Sequence, residues 1–162
     1  MTPKTTYPPG ASLVASAHAR GLFGWLILAA IAIFGAASAR ADSVPLYSFN
    51  GSDGAAPLAG LVQGSDGNFY GTTASGGASD AGTVFKITSG GSLTTLYNFS
   101  YSDGATPRAG LVQGSDGNFY GTTASGGASD AGTVFKITSG GSLTTLYNFS
   151  YSDGWSPYAG LV

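Results

Sequence analysis

Residues 59–104 read AGLVQGSDGNFYGTTASGGASDAGTVFKITSGGSLTTLYNFSYSDG, and the same string returns without a change at residues 109–154, fifty positions on. A shorter earlier copy runs over residues 46–54, and the next copy starts at residue 159 and reaches residue 162. Repetition at this length marks a propeller or a solenoid, in which one supersecondary unit cannot bury its apolar face alone and stacks on its neighbours.

Punctuation inside the unit divides it into four short strands. Residues 60–63 (GLVQ) lead into Gly64-Ser65-Asp66-Gly67-Asn68, where Asp-Gly signals a tight hairpin because both residues tolerate positive φ. Residues 69–74 (FYGTTA) form the second strand. A glycine-rich loop, residues 75–82, separates it from residues 83–88 (TVFKIT). Ser89-Gly90-Gly91 then turns the chain into residues 93–99 (LTTLYNF), whose Thr, Leu, Tyr and Phe suit a pleated surface. Nothing in the unit reads as a helix.

The third strand is apolar on both faces, with Phe85 and Ile87 on one side and Val84 beside Lys86 on the other. A sheet lying between two others needs that pattern. The expected fold is therefore all-β, with four-stranded antiparallel repeats of about fifty residues stacked as propeller-like blades. A parallel β-helix is the alternative, although its rungs are usually shorter and do not need two hairpins per period. Residues 46–49 read as the fourth strand of a preceding set and residues 160–162 as the first strand of a following one. Because propellers have 4–8 blades, two complete sets are expected to be an incomplete portion of a longer array. The competing expectation is a short protein that completes a ring by self-association.

Residues 1–41 differ from the rest. Lys4 and Arg20 precede the uncharged stretch GLFGWLILAAIAIFGAASA at residues 21–39, followed by Ala39-Arg40-Ala41 with small residues at its first and third positions. This is the pattern of a secretory signal peptide cleaved after Ala41. The alternative is an uncleaved anchor, since nineteen residues at about 1.5 Å each come close to a ~30 Å hydrocarbon core. Either way the remainder is expected to be exported to the periplasm, cell surface or medium. The expected organisation is a signal peptide or anchor at 1–41, a partial repeat at 42–58, full repeats at 59–108 and 109–158, and the start of another at 159–162.

Removing that segment sharpens the composition. Residues 42–162 contain no Glu, His, Cys or Met, and their three bases (Lys86, Arg108, Lys136) face eight aspartates, a net charge of −5. A thiol nucleophile, a Ser/His/Asp triad, a His or Cys zinc site and a disulfide framework all lack their side chains. Three scattered bases do not make the positive surface that a phosphate backbone demands, so nucleic acid is not an expected partner.

The segments LVQGSDGNFYGTT, GTVFKIT and LYNF, followed by DG and P-x-AGLV, make residues 46–162 resemble the GloVer tandem-repeat proteins, exported bacterial proteins whose C-terminal anchors vary. The resemblance implies a propeller-like repeat array on an exported protein. It carries over no catalytic residues.

Antiparallel order puts the 1–2 and 3–4 hairpins at one end of each blade, and the 2–3 loop with the inter-blade connection at the other. Differences between copies fall almost entirely in that connection. Ala55-Ala56-Pro57-Leu58 becomes Ala105-Thr106-Pro107-Arg108 and then Trp155-Ser156-Pro157-Tyr158, while Asn50-Gly51 becomes Ser100-Tyr101 and Ser150-Tyr151. Tyr101, Arg108, Tyr151, Trp155 and Tyr158 are therefore the candidate binding residues, four aromatic platforms and one charge. The plainer reading is that loops tolerate change.

Paired carboxylates carry glycoside cleavage, but Asp53, Asp66, Asp103, Asp116 and Asp153 each sit in a Ser-Asp-Gly turn, where Asp is expected for local hydrogen bonding. The loop around Gly76-Gly77-Ala78-Ser79-Asp80 offers one carboxylate, short of the several oxygens calcium requires. No metal or cofactor is implied. Lys86 and Lys136 fall mid-strand, where a snorkelling stem is expected. The Asn-x-Ser sites at Asn50, Asn98 and Asn148 read as incidental to a bacterial chain.

The expected function is a non-enzymatic exported module, structural or binding, with a glycan or protein as ligand. The alternative is an exported propeller hydrolase or lyase acting on polysaccharide. Contact with a membrane is expected only through residues 1–41 if they are retained, and self-association only if two repeats are the whole array.

Overall fold

The computed structural model describes residues 45–162, which lie in a unit formed by residues 42–162; the expected N-terminal address, residues 1–41, lies outside the described residues. The described chain is all-β, with no helix among the described residues. Its strands are β1 (Val62–Gln63), β2 (Phe69–Thr73), β3 (Thr83–Ile87), β4 (Leu93–Asn98), β5 (Val112–Gln113), β6 (Phe119–Thr123), β7 (Thr133–Ile137) and β8 (Leu143–Asn148). They form two antiparallel sheets, ordered β1-β2-β3-β4 and β5-β6-β7-β8.

Both hairpins of each repeat close the same way. The Gly67 N–H donates to Gly64 O and the Gly64 N–H to Asn68 O, as Gly91 donates to Thr88 O and Thr88 to Ser92 O. Gly67 is left-handed at φ 80° whereas Asp66 is not, so the 1–2 turn is a three-residue loop between Gly64 and Asn68 sealed by glycine. The Asp66 carboxylate instead accepts from the Asn68 backbone and side chain.

Three expected strands shrink or vanish. The first strand is only Val62–Gln63, and residues 46–49 and 160–162 lie in no strand. A strand exists only through its ladder, and no described segment pairs with those two. Residues 46–49 nonetheless approach the first sheet as 96–99 approach the second. Phe49 meets Phe85 edge-on at 5.1 Å, and Phe99 meets Phe135 at 5.2 Å.

Register explains how the sheets stack. Tyr70 lies opposite Lys86 and Thr72 opposite Val84, so these share one face. Phe69 opposite Ile87, and Gly71 opposite Phe85, define the other. The Tyr70 face of the first sheet packs on the Phe119 face of the second, so the repeats stack front to back. Burial records the direction. Tyr70 is buried but its copy Tyr120 only half-buried, while Phe119 is buried but its copy Phe69 only half-buried. The buried cluster formed by Tyr70, Ala81, Val84, Phe99, Leu111, Phe119, Phe135 and Ile137 is this seam.

Polar groups complete the seam. The Ser65 N–H donates to Gln113 Oε1 (3.0 Å), Thr72 Oγ1 to Ala109 O (3.2 Å) and the Thr106 N–H to Ala81 O (2.9 Å). A Cβ added to Gly110 would lie 3.4 Å from Gly60 O, so the segments leading into β1 and β5 approach backbone to backbone.

Candidate functional site

The variable connection and the 2–3 loop meet at one end of each repeat, as antiparallel order requires. Ala55 forms a bridge with Ser75 and Ala105 with Ser125, and the Gly77 N–H donates to Gly51 O. In residues 75–82 the Gly76 N–H is held by the Asp80 carboxylate at 2.7 Å, and the Ala78 N–H by Asn98 Oδ1 at 3.0 Å.

The stretch after each Ser-Asp-Gly does more than join repeats. Ala105 and Pro107 are fully buried between the sheets, with Pro107 Cδ seated against Gly82. Arg108, next in sequence, is exposed. The connection therefore alternates between cementing the seam and presenting side chains to solvent.

All five candidate binding residues are on the surface: Tyr101, Arg108, Tyr151, Trp155 and Tyr158. Two pairs come together. The Arg108 guanidinium carbon stands 5.2 Å from the Tyr158 ring centroid, a cation–π contact between equivalent positions of successive repeats. Tyr151 and Trp155 face each other at 6.4 Å and 39°. Tyr101 belongs to neither pair. It adopts φ 61°, the left-handed conformation taken at the same position of the earlier copy by Gly51 at φ 92°.

The aspartates are engaged locally. Tyr47, Tyr97 and Tyr147 each donate a phenolic hydrogen bond of 2.5 Å, to Asp53, Asp103 and Asp153 respectively. The backbone N–H groups of Asn50, Ser100 and Ser150 donate to the same three carboxylates. Asp66 and Asp116 accept from Tyr70 and Tyr120 at 2.8 Å. The Tyr47 hydroxyl, then the turn backbone, hold Asp53 below the ordinary carboxylate value, and Tyr147 does the same for Asp153. For Asp66 and Asp116 the leading cause is the side chain of Asn68 or Asn118, followed by the tyrosine. Such carboxylates are stabilised as anions and fixed as turn acceptors, the opposite of what a proton donor in glycoside cleavage needs. Among the described residues no three acidic or imidazole groups cluster as a metal site would require.

Sequence reading did not find the tyrosine partners. Their signal is present, because a Tyr six residues before or four residues after an Asp recurs in every copy. It also did not locate a groove of about 310 Å³ beside the Phe85 face of the first sheet, lined by residues that include Leu46, Phe49, Pro57, Leu61 and Phe85.

The family model described as the Gloeobacter/Verrucomicrobia repeat matches residues 32–162. No curated protein matches the chain.

Proposed function

The chain belongs to the Gloeobacter/Verrucomicrobia repeat family, and on that premise we propose that it serves as an exported, non-enzymatic binding or structural module whose ligand is a glycan or a protein. The observation that carries this reading is a division of labour within the repeat. The carboxylates are tied into turns by hydrogen bonds repeated from copy to copy, whereas most of the side chains that differ between copies are exposed at one end, Tyr101, Arg108, Tyr151, Trp155 and Tyr158 among them, with Ala105 buried in the seam.

Tyr101, Arg108, Tyr151, Trp155 and Tyr158 are the proposed contact residues. Exposed aromatic rings offer stacking surface, and Tyr and Trp pair an apolar body with a polar handle, which suits ligands that are themselves amphipathic. Arg108 adds a fixed charge and bidentate donors. Export rests on residues 1–41, with the basic flank, apolar run and small-residue site of a secretory signal. In a longer array the same front-to-back stacking supports a closed propeller.

Glycan arrays and immobilised surface proteins probed with the full chain test the reading. Binding that weakens in Trp155→Ala and Arg108→Gln supports it. Blank arrays accompanied by turnover of a polysaccharide overturn it in favour of a hydrolase or lyase.

A further inference from the structure

We propose that Arg108 and Tyr158 together read a carboxylate, and that the ligand is a saccharide carrying a single acidic group, a uronic acid residue on an otherwise neutral chain. The inference rests on the binding reading above and narrows its ligand.

Exposure at this position belongs to the repeat. Leu58, Arg108 and Tyr158 are equivalent residues and all three are exposed, Leu58 at 60% and Tyr158 at 62%. Arg108 has a copy on either side of it in the stack and is open nonetheless, unlike Ala105, which is fully buried at the same seam. Its backbone is pinned from both sides. Pro107 is buried against Gly82, and Ala109 is buried with its carbonyl accepting from Thr72 Oγ1. Tyr158 is pinned in the same way: the Ser156 N–H donates to Ala131 O, Pro157 Cδ lies against Gly132, and Thr122 Oγ1 donates to Ala159 O. All three of those partners lie in the second repeat.

The guanidinium rests on the ring, its carbon 5.2 Å from the centroid. A guanidinium stacked on an aromatic face is oriented, while its N–H edge stays available for hydrogen bonds in its own plane. The aspartates nearest in sequence are engaged in their own turns, Asp103 by Tyr97 and the Ser100 N–H, and Asp153 by Tyr147 and the Ser150 N–H. A carboxylate from outside matches the edge, two oxygens against two N–H groups.

Charge sets how many carboxylates the ligand carries. Lys86 and Lys136 lie inside β3 and β7, so Arg108 is the one base outside the strands of residues 42–162, whose net charge is −5. One carboxylate finds a partner there, and each further one meets only a repulsive field. A saccharide fits the pair better than an acidic peptide. A uronic acid holds its carboxylate rigidly beside the C–H face of a sugar ring, matching a fork and an aromatic ring fixed side by side, whereas a flexible acidic side chain must be ordered on binding.

Titration calorimetry of the full chain tests this with four compounds: a xylo-oligosaccharide bearing one glucuronic acid branch, its unbranched parent, a polygalacturonate fragment, and an end-blocked peptide with a single glutamate. The branched sugar is expected to bind about tenfold more tightly than its parent, the scale of one charge-assisted contact. Arg108→Gln is expected to erase that preference with circular dichroism unchanged, whereas Lys136→Gln, the same loss of charge inside β7, keeps it. Equal affinity for the two xylo-oligosaccharides, or a preference that persists in Arg108→Gln, overturns the inference and leaves the binding reading standing. Tighter binding of the polygalacturonate fragment than of the branched sugar overturns it too, as does a peptide that binds equally well, which would move the ligand to proteins. If neither xylo-oligosaccharide binds, the inference fails and a protein ligand is left. Release of reducing ends from any of the sugars overturns the binding reading itself, and this inference with it.

Discussion

Tyr70 of the first sheet stacks on Phe119 of the second, with ring centroids 3.9 Å apart and 26° between the planes. The Tyr70 hydroxyl remains tied to Asp66 in its own hairpin, so the ring serves the seam while its polar end serves the turn. Neither residue has a counterpart in the same state: Phe69 and Tyr120 occupy equivalent places in identical sequence and are only half-buried. Burial here belongs to a residue's place in the stack rather than to its type.

Phe119→Ala is therefore expected to destabilise by about 3–5 kcal/mol, the range for removing a buried aromatic ring, and Phe69→Ala by less than half of that. Urea titration of both variants measures the difference. Equal losses would show that stacking is not what buries Phe119.

Ala105→Trp introduces into a fully buried site the residue that its next copy carries on the surface. Overpacking of this kind costs about 1–3 kcal/mol or more, whereas the reverse change at the exposed Trp155, Trp155→Ala, is expected to stay within about 0.5 kcal/mol. Thermal melts of the two variants separate them.

Tyr101 sits at φ 61° where the first copy has Gly51. A left-handed backbone costs a side-chain-bearing residue about 1–2 kcal/mol, and part of that gain is offset by the greater unfolded-state freedom of glycine. Tyr101→Gly is expected to stabilise by about 0.5–1 kcal/mol while weakening any ligand contact made by the ring. Tyr151→Gly, outside the left-handed set, should not stabilise. A loss of stability in Tyr101→Gly would mean that the ring packs more than its exposure indicates.

Stability is expected to fall at both ends of the pH scale. Burial first, and then the hydrogen bond to Asp66 or Asp103, pushes Tyr70 and Tyr97 up from 10.0 to about 12. The unfolded phenols ionise more readily, so their contribution is complete below pH 10 and disappears as pH rises through about 12. For Asp53, Asp66, Asp116 and Asp153, held below 3.8, the contribution is present above that value and is lost as pH falls through the lower folded values. Denaturation midpoints across pH, with phenolate absorbance at the alkaline end, check both limbs. Tyr70→Phe should remove part of the alkaline loss.

A buried threonine pair locks the second strand to the third. Thr123 Oγ1 lies 2.9 Å from Thr133 Oγ1 and also accepts from the Thr133 N–H. Thr123→Val preserves shape but strips these partners, leaving buried polar groups unmet at about 1–3 kcal/mol. Denaturant unfolding that shows no loss for this variant would place water in the pair.

Much of this fold can be read from periodicity. Glycine pairs and Asp-Gly steps punctuate the chain, and β-branched and aromatic runs of five or six residues lie between them, so strand number, order and hairpin positions follow from local preference. Turn chemistry was legible only in part. In the 1–2 hairpin both residues of the Asp-Gly step tolerate positive φ, yet only Gly67 becomes left-handed, because the two differ in the cost of that conformation. The Tyr–Asp bonds were harder to foresee, since they join a turn to a strand whose register is set by the whole sheet. The candidate binding residues stood out by varying among otherwise identical copies. That Arg108 meets Tyr158 follows from the rotation between repeats and has no trace along the chain, whereas Tyr151 and Trp155, four residues apart, meet within one connection.

The fifty-residue string, read alone, determines an antiparallel four-stranded unit with apolar residues on both faces. It is silent about which face is covered, because two identical strings are indistinguishable until one lies in front of the other. Stacking breaks that equivalence: Tyr70 is buried and Tyr120 half-open, Leu111 is buried and Leu61 half-exposed. Local sequence sets strands through short-range backbone and side-chain preference, whereas burial arises from non-local contact between one repeat and the next.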